Sequence, residues 1–274
     1  MFASALSLPE AILLGIVEGI TEFLPVSSTG HLLVVGELIG FGSGASADAA
    51  DTYSIAIQFG AILAVLFLYR SRIGSMARGI GGADPEGRTV LVRVAAAFLP
   101  AAVLGVMFGD LLKDALFGPI PITIAWAVGG IFLLVWKQPQ GSLALHQLSV
   151  RSALLIGLAQ GIALWPGVSR SLVTLVAALA IGLSLAAALE FSFLLGLVTL
   201  SAATFYDMAR NGTELIDQFG VVTPIAGLLM AFITALLAVR WLVAYLTTKS
   251  LAIFGWYRLL IAAISTVLLV VGVL

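Results

Sequence analysis

Glu18 and Glu22 stand four residues apart, and so do Ser27 and His31 and, much later in the chain, Arg170 and Thr174. On a helix that spacing puts both members of a pair on one face. Two carboxylates on one face can hold a hard divalent cation, or share a proton. A serine followed by a histidine supplies a nucleophile and a base. Arginine beside hydroxyls supplies a fork of donors for phosphate. Ser28, Thr29, Ser169 and Ser171 add hydroxyls around these pairs. Together the residue types describe a site for phosphoryl chemistry that could take Mg2+ or Ca2+ on Glu18 and Glu22.

These groups sit in two related motifs, Gly15-IVEGITEFLPVSSTGH-Leu32 and Gly157-LAQGIALWPGVSRSLV-Thr174. At a constant offset of 142 (15 to 157), Gly15, Gly19, Ile20, Val26 and Ser27 align with Gly157, Gly161, Ile162, Val168 and Ser169, and Ile39-Gly40 with Ile181-Gly182. Each copy carries a proline before its hydroxyls. Proline removes a backbone donor and breaks the helix before it. Ser27 and Ser169 follow the breaks and are placed to cap the half-helices that begin there. Helix N-termini with free N–H groups favour an anion.

The surrounding chain is lipid-like. Of 274 residues 61% are hydrophobic and 10% charged, with a mean hydropathy of +1.16, the composition of an all-α integral membrane protein. The net charge of −1 argues against nucleic acid as a partner, and zero cysteines exclude disulfides and thiolate chemistry. Glu10, Glu18 and Glu22 interrupt the first apolar run, which lacks a basic start, so it reads as mature fold rather than a signal peptide.

Six full transmembrane helices are expected near 52–69, 90–109, 119–136, 184–206, 221–243 and 252–273. Two further stretches, 8–40 and 152–182, are broken by Pro25 and by Pro166-Gly167 and read as re-entrant hairpins. Arg70, Arg72, Arg78, Arg88, Arg93, Lys137, Arg151, Arg240 and Lys249 fall in alternate loops. Lys113 and Arg210, with Asp110, Asp114, Asp207, Glu214 and Asp217, mark the opposite side. The positive-inside rule then places both termini outside the cytoplasm. Three spans separate the motifs, so residues 1–274 form one membrane domain with an inverted-topology repeat (about 8–136 and 150–273). The hairpin tips meet near the midplane, the geometry of a central site.

EGITEFLPVSSTGH and PGVSRS resemble the two signature motifs of the bacterial undecaprenyl-diphosphate phosphatase family of the bacitracin-resistance type. Gln58-FGAILAV, Glu190-FSFLL and Gly255-WYR are similar to that family too. The resemblance implies hydrolysis of undecaprenyl diphosphate to undecaprenyl phosphate and inorganic phosphate, dependent on a divalent cation. It implies the bacterial cytoplasmic membrane, with the site open to the outer, periplasmic face. By motif position Ser27, His31, Glu22 and Arg170 fill catalytic places, with Ser28, Thr29, Ser169, Ser171 and Thr174 on the substrate. The family usually has Gly and a small residue where this chain has Leu172 and Val173.

Ser27, His31 and a metal-activated water all remain open as the attacking group. A secondary transporter or flippase for a polyprenyl phosphate is the rival reading, since broken inverted repeats also build carriers. The other lipid-phosphatase superfamily needs a Lys-x6-Arg-Pro motif that is missing here. Intramembrane acids are functional candidates, so Glu190 is one, with solvation near a span end as the alternative. Gln58 is expected to satisfy a neighbouring backbone group and Arg258 to face the inner interface. Trp126, Trp136, Trp241 and Trp256 are expected at span ends as interface anchors. Membrane lipids are partners throughout, and a homodimer is compatible with the sequence without being specified by it.

Overall fold

The computed structural model describes residues 6–41 and 47–274, with the side chains of 47–49, 110, 113 and 114 outside the description. Asp110, Lys113 and Asp114, used above to orient the chain, are therefore outside the described side chains. Among the described residues the named elements are helical, and an isolated bridge joins Leu143 to Leu183.

The chain begins with two short helices, α1 (Leu8–Thr21) and α2 (Ser28–Ile39), which pack against each other. At 1.5 Å per residue they are about 21 and 18 Å long, too short to cross a hydrocarbon core of about 30 Å. Glu10 starts α1 by accepting from the Ser7 backbone N–H at 2.8 Å. Gly40, at φ 68, ends α2 in the left-handed conformation a side chain resists. Next come α3 (Ala47–Leu68), α4 (Arg70–Ile80), α5 (Pro85–Leu116) and α6 (Pro119–Val135).

The second broken stretch repeats this design. It comprises α7 (Val150–Gln160), a 3-10 turn (Gly161–Leu164) and α8 (Arg170–Ala180), with Gly182 at φ 103 just beyond. Adding 142 to 28 and 39, the bounds of α2, gives 170 and 181, nearly the bounds of α8. The chain ends with α9 (Leu185–Phe219), α10 (Val222–Leu246) and α11 (Ala252–Val270).

Five helices, α3, α5, α9, α10 and α11, are long and apolar enough to cross a membrane; α6, at 17 residues, falls just short by length. Two loops expected from sequence are helical. The arginine-rich stretch after α3 forms α4, and the acidic stretch 207–219 prolongs α9 to 35 residues, about 52 Å. Arg72 explains the first: it pairs with Glu190 at 2.6 Å and Glu86 at 2.8 Å, so α4 is tied to α9 and α5. Glu190, a candidate intramembrane acid from sequence, is engaged in that ion pair.

The two motifs pack across the halves of the chain. α1 lies against α10 and α3, whereas α7 lies against α5. Gly15 permits the first crossing, since a Cβ there would strike the backbone of Gly227; the equivalent Gly157 does the same against Ala97. The main core gathers Phe23, Leu24 and Val26 from the first break with Leu172, Leu175, Phe191 and Phe193. Leu172 is 4% exposed within that core, so the larger residue is accommodated.

Candidate active site at the meeting of two broken helices

The first break leaves three consecutive carbonyls without helical partners, and each is satisfied by a side chain from elsewhere. Leu24 O accepts from Ser171 Oγ at 2.8 Å and from Ser169 Oγ at 3.3 Å. Pro25 O accepts from Arg258 Nη1 at 3.2 Å, and Val26 O from Trp126 Nε1 at 2.9 Å. Non-helical backbone at membrane depth survives only with such partners. Arg258 also donates from Nη2 to Gly167 O in the second break at 3.0 Å and to Ala125 O of α6 at 2.9 Å. One guanidinium thus ties both tips to α6.

These contacts correct two expectations. Arg258 does not face the inner interface; it is fully buried. Trp126 is 2% exposed and supports the first tip instead of anchoring at a membrane surface. Sequence alone misses both because a lone Arg or Trp in an apolar helix carries no mark of its partner.

Ser27 sits at the start of α2 with φ 72 and ψ 101 and makes no side-chain cap bond, contrary to expectation. Among the described residues it is the one non-glycine with positive φ. Strain of this kind costs roughly 1–3 kcal/mol and persists where surrounding structure imposes it. Here His31 Nδ1 bonds to Ser27 O at 2.7 Å, and Tyr257 Oη to His31 Nε2 at 2.8 Å. The imidazole also stacks on Tyr257 and meets Trp126 edge to face. His31 therefore grips the Ser27 backbone, and both its nitrogens are engaged. Ser169 does cap α8, accepting from Leu172 N at 3.2 Å.

Arg170, the first residue of α8, reaches across to Glu22 Oε1 at 2.7 Å and to Ser192 O at 3.3 Å. Its guanidinium lies 5.4 Å from the Phe23 ring centre and over Gly196, where a Cβ would collide with it. Arg170 Nε is buried without a partner. The other Glu22 oxygen accepts from Ser28 Oγ. Glu18, fully buried beside Glu22, has both oxygens without hydrogen-bond partners.

A cavity of about 200 Å³ opens among these groups, lined by Glu22, Ser27, Ser28, Thr29, Ser169 and Arg170 together with Gln58, Gln160 and Thr199. A larger cavity of about 720 Å³ shares Ser28, Thr29 and Gln58 and reaches Glu18, Glu37, Asp51 and the Phe117–Pro119 turn. Gln58, expected to satisfy a neighbouring backbone group, lines both cavities. His31, Ser171 and Thr174 line neither. Ser171 holds the tips together, and Thr174 Oγ1 bonds to Ser192 Oγ at 2.6 Å and to Arg170 O at 3.0 Å, steadying the arginine.

The arrangement offers an anion a buried free N–H on Arg170 and the N-terminus of α8, beside a hydroxyl held at a strained position. The unpartnered Glu18 carboxylate, with Glu22 as neighbour, fits a hard cation completed by ligand oxygens. Magnesium sites of one or two carboxylates plus phosphates have this form. Among the described residues no cluster of three or more His, Cys, Asp or Glu that could hold a metal ion is present.

A family model described as "Bacitracin resistance protein BacA" matches residues 11–264. The chain belongs to this family. A Sorangium cellulosum protein named "Undecaprenyl-diphosphatase" is 44% identical over 263 residues, covering 93% of this chain and 84% of the relative. "Undecaprenyl-diphosphatase 1" of Chromobacterium violaceum is 42% identical over 254 residues, 91% and 92% of the two chains. "Undecaprenyl-diphosphatase 2" of Rhodospirillum rubrum is 43% identical over 259 residues, 91% and 90%. None of these three BacA relatives is named as a transporter.

Proposed function

We propose that the chain hydrolyses undecaprenyl diphosphate to undecaprenyl phosphate and inorganic phosphate, returning the lipid carrier to peptidoglycan synthesis. The observation that carries this reading is the polar cavity between the tips, lined by Ser27 together with Arg170, whose buried Nε–H has no partner. A carrier needs a binding site there but has no use for a serine held at φ 72.

The diphosphate enters through the larger cavity and its terminal phosphate meets Arg170 and the first N–H groups of α8. Ser27 Oγ attacks the terminal phosphorus while Glu22, on the same cavity wall, takes the hydroxyl proton. The bond to the bridging oxygen breaks, undecaprenyl phosphate leaves as the anion, and Glu22 returns its proton to solvent. Water then hydrolyses the Ser27 phosphoester. His31 serves by holding the Ser27 carbonyl, since its ring nitrogens are bound elsewhere. Glu18 and Glu22 are the residues that would hold Mg2+ or Ca2+, which when bound would offset the charge of the diphosphate. Ser28, Thr29 and Ser169 complete the substrate cradle; Ser171 and Thr174 support it from behind.

In the membrane, α1/α2 and α7/α8 form re-entrant hairpins of opposite topology. α3, α5, α6, α9, α10 and α11 make six spans, α6 being the shortest at 17 residues. The matching bounds of α2 and α8, their glycine ends and the crossed packing support this arrangement. The site opens to the periplasmic face of the cytoplasmic membrane.

Purified protein should release phosphate from undecaprenyl diphosphate with Mg2+ or Ca2+ and lose that activity with chelator. Arg170→Ala and Ser27→Ala should each lower kcat by at least about a hundredfold, the scale of losing a transition-state donor or a nucleophile. Substrate binding without phosphate release under any condition would sink the proposal.

A further inference from the structure

Gln160 occupies the place in the second motif that Glu18 holds in the first (18 + 142 = 160). The two have one further property in common: their side-chain oxygens are buried without a partner. Gln160 is 4% exposed and lines the 200 Å³ cavity with Ser27 and Arg170, whereas Glu18 lines the larger one.

The orientation of the Gln160 amide follows from its neighbour. Thr199 Oγ1 donates to Leu195 O at 2.8 Å, so towards Gln160 it can only accept. Gln160 Nε2 therefore faces Thr199, at 3.3 Å, and Oε1 is left buried without a partner in a residue that lines the cavity. A carbonyl oxygen cannot bond to an ionised phosphate oxygen, because both are acceptors. Its partner must bring a hydrogen or be a cation. The amide carries no charge, so it sets an acceptor beside the phosphate without repelling it.

We propose that Gln160 Oε1 holds the water that hydrolyses the phosphoryl group, and so sets the preference of this site for water over alcohols. The proposal rests on the phosphatase reading above. Water brings two hydrogens. One passes through Glu22 to Ser27 Oγ as the new P–O bond forms and the P–O bond to Ser27 breaks. The other stays on the oxygen, held by Gln160, and leaves with inorganic phosphate. An alcohol has one hydroxyl hydrogen, needed by Glu22, and nothing for Gln160.

The test is phosphate release from undecaprenyl diphosphate in buffer containing methanol, measuring inorganic phosphate and methyl phosphate together. Gln160→Met keeps the length of the side chain and removes the acceptor. It should lower kcat about tenfold, the equivalent of one positioned hydrogen bond, with KM little changed. The ratio of methyl phosphate to inorganic phosphate should rise several-fold. Gln160→Glu, which keeps an acceptor oxygen, should hold the ratio near wild type. Thr199→Val leaves Gln160 in place but frees its amide to turn, and its ratio should lie between the two; it carries the test if Gln160→Met does not fold. A merely structural glutamine would lower stability in these variants without moving the product ratio. Wild-type protein releasing no phosphate would overturn the phosphatase reading itself. Phosphate release with an unchanged ratio in Gln160→Met and Thr199→Val would overturn the role of Gln160 alone. So would an unchanged ratio with a shifted half-saturating Mg2+, which would make Gln160 a cation ligand.

Discussion

At the scale of single residues, the site separates groups that meet the cavity from groups that hold them. Ser27, Glu22 and Arg170 line it; His31 holds the Ser27 carbonyl, Tyr257 the His31 ring and Trp126 the Val26 carbonyl, and none of these three lines it. His31 makes this division measurable. Asparagine can place its amide N–H near the position of the imidazole Nδ1 and keep the bond to Ser27 O, but it cannot act as a base. In kcat assays His31→Asn should retain at least about tenfold more activity than His31→Phe, one hydrogen bond of positioning. Equal and complete loss in both would return His31 to the role of base or nucleophile. The Ser27 backbone could not have been inferred from its residue type. Positive φ in a serine is imposed by the tip contacts, and nothing in the local sequence prefers it.

At the scale of elements, Arg258 on α11 is the device that joins two breaks into one site. Burying an arginine in a membrane costs about 2.5–3.5 kcal/mol on insertion scales, offset here by bonds to three carbonyls from three segments. Arg258→Met should leave the Pro25 and Gly167 carbonyls, which lie outside the helices, unsatisfied at roughly 1–3 kcal/mol each, and lower both the thermal unfolding midpoint in detergent and kcat. An unchanged midpoint would show that the tips stand without the clamp. The α4–α5 turn carries a different kind of control. Asp84, outside the membrane spans, is held below the usual carboxylate pKa of 3.8 first by the Ser75 hydroxyl and then by Gly87 N–H, with Arg78 nearby. A depressed acid stabilises the fold above its unfolded pKa and loses that contribution as pH falls through the folded value. Hydrogen exchange at Gly87 N–H, corrected for intrinsic rate, should keep its protection at the ordinary carboxylate pKa of 3.8 and lose it as pH falls further, through the depressed folded value. In Asp84→Ala that protection should be absent and independent of pH.

For the whole molecule, the prediction is of topology. The chain has no cysteine, so single introduced cysteines report unambiguously. Cysteines at Ala83 and Lys249, both exposed, should react with an impermeant reagent only after cells are opened, and cysteines at Glu214 and Asp217 before. The reverse pattern would turn the site to the cytoplasm. Much of this architecture is legible in sequence, because lipid imposes strict terms on composition: apolar runs of helix length, and breaks tolerated only where other groups satisfy them. Pro25, Pro166 and the 142-residue offset thus located both breaks, and the pairing of Glu22, Ser27, Ser169 and Arg170 in one cavity follows their motif positions. Tertiary structure alone decided which groups answer those breaks. Leu24, Pro25 and Val26 find their partners at Ser169, Ser171, Arg258 and Trp126, between 100 and 233 residues away. A hydrogen bond between distant segments leaves no periodicity in either. For the same reason His31 reads from sequence as a base for Ser27, while the fold turns its ring to Tyr257 and gives it the Ser27 backbone to hold.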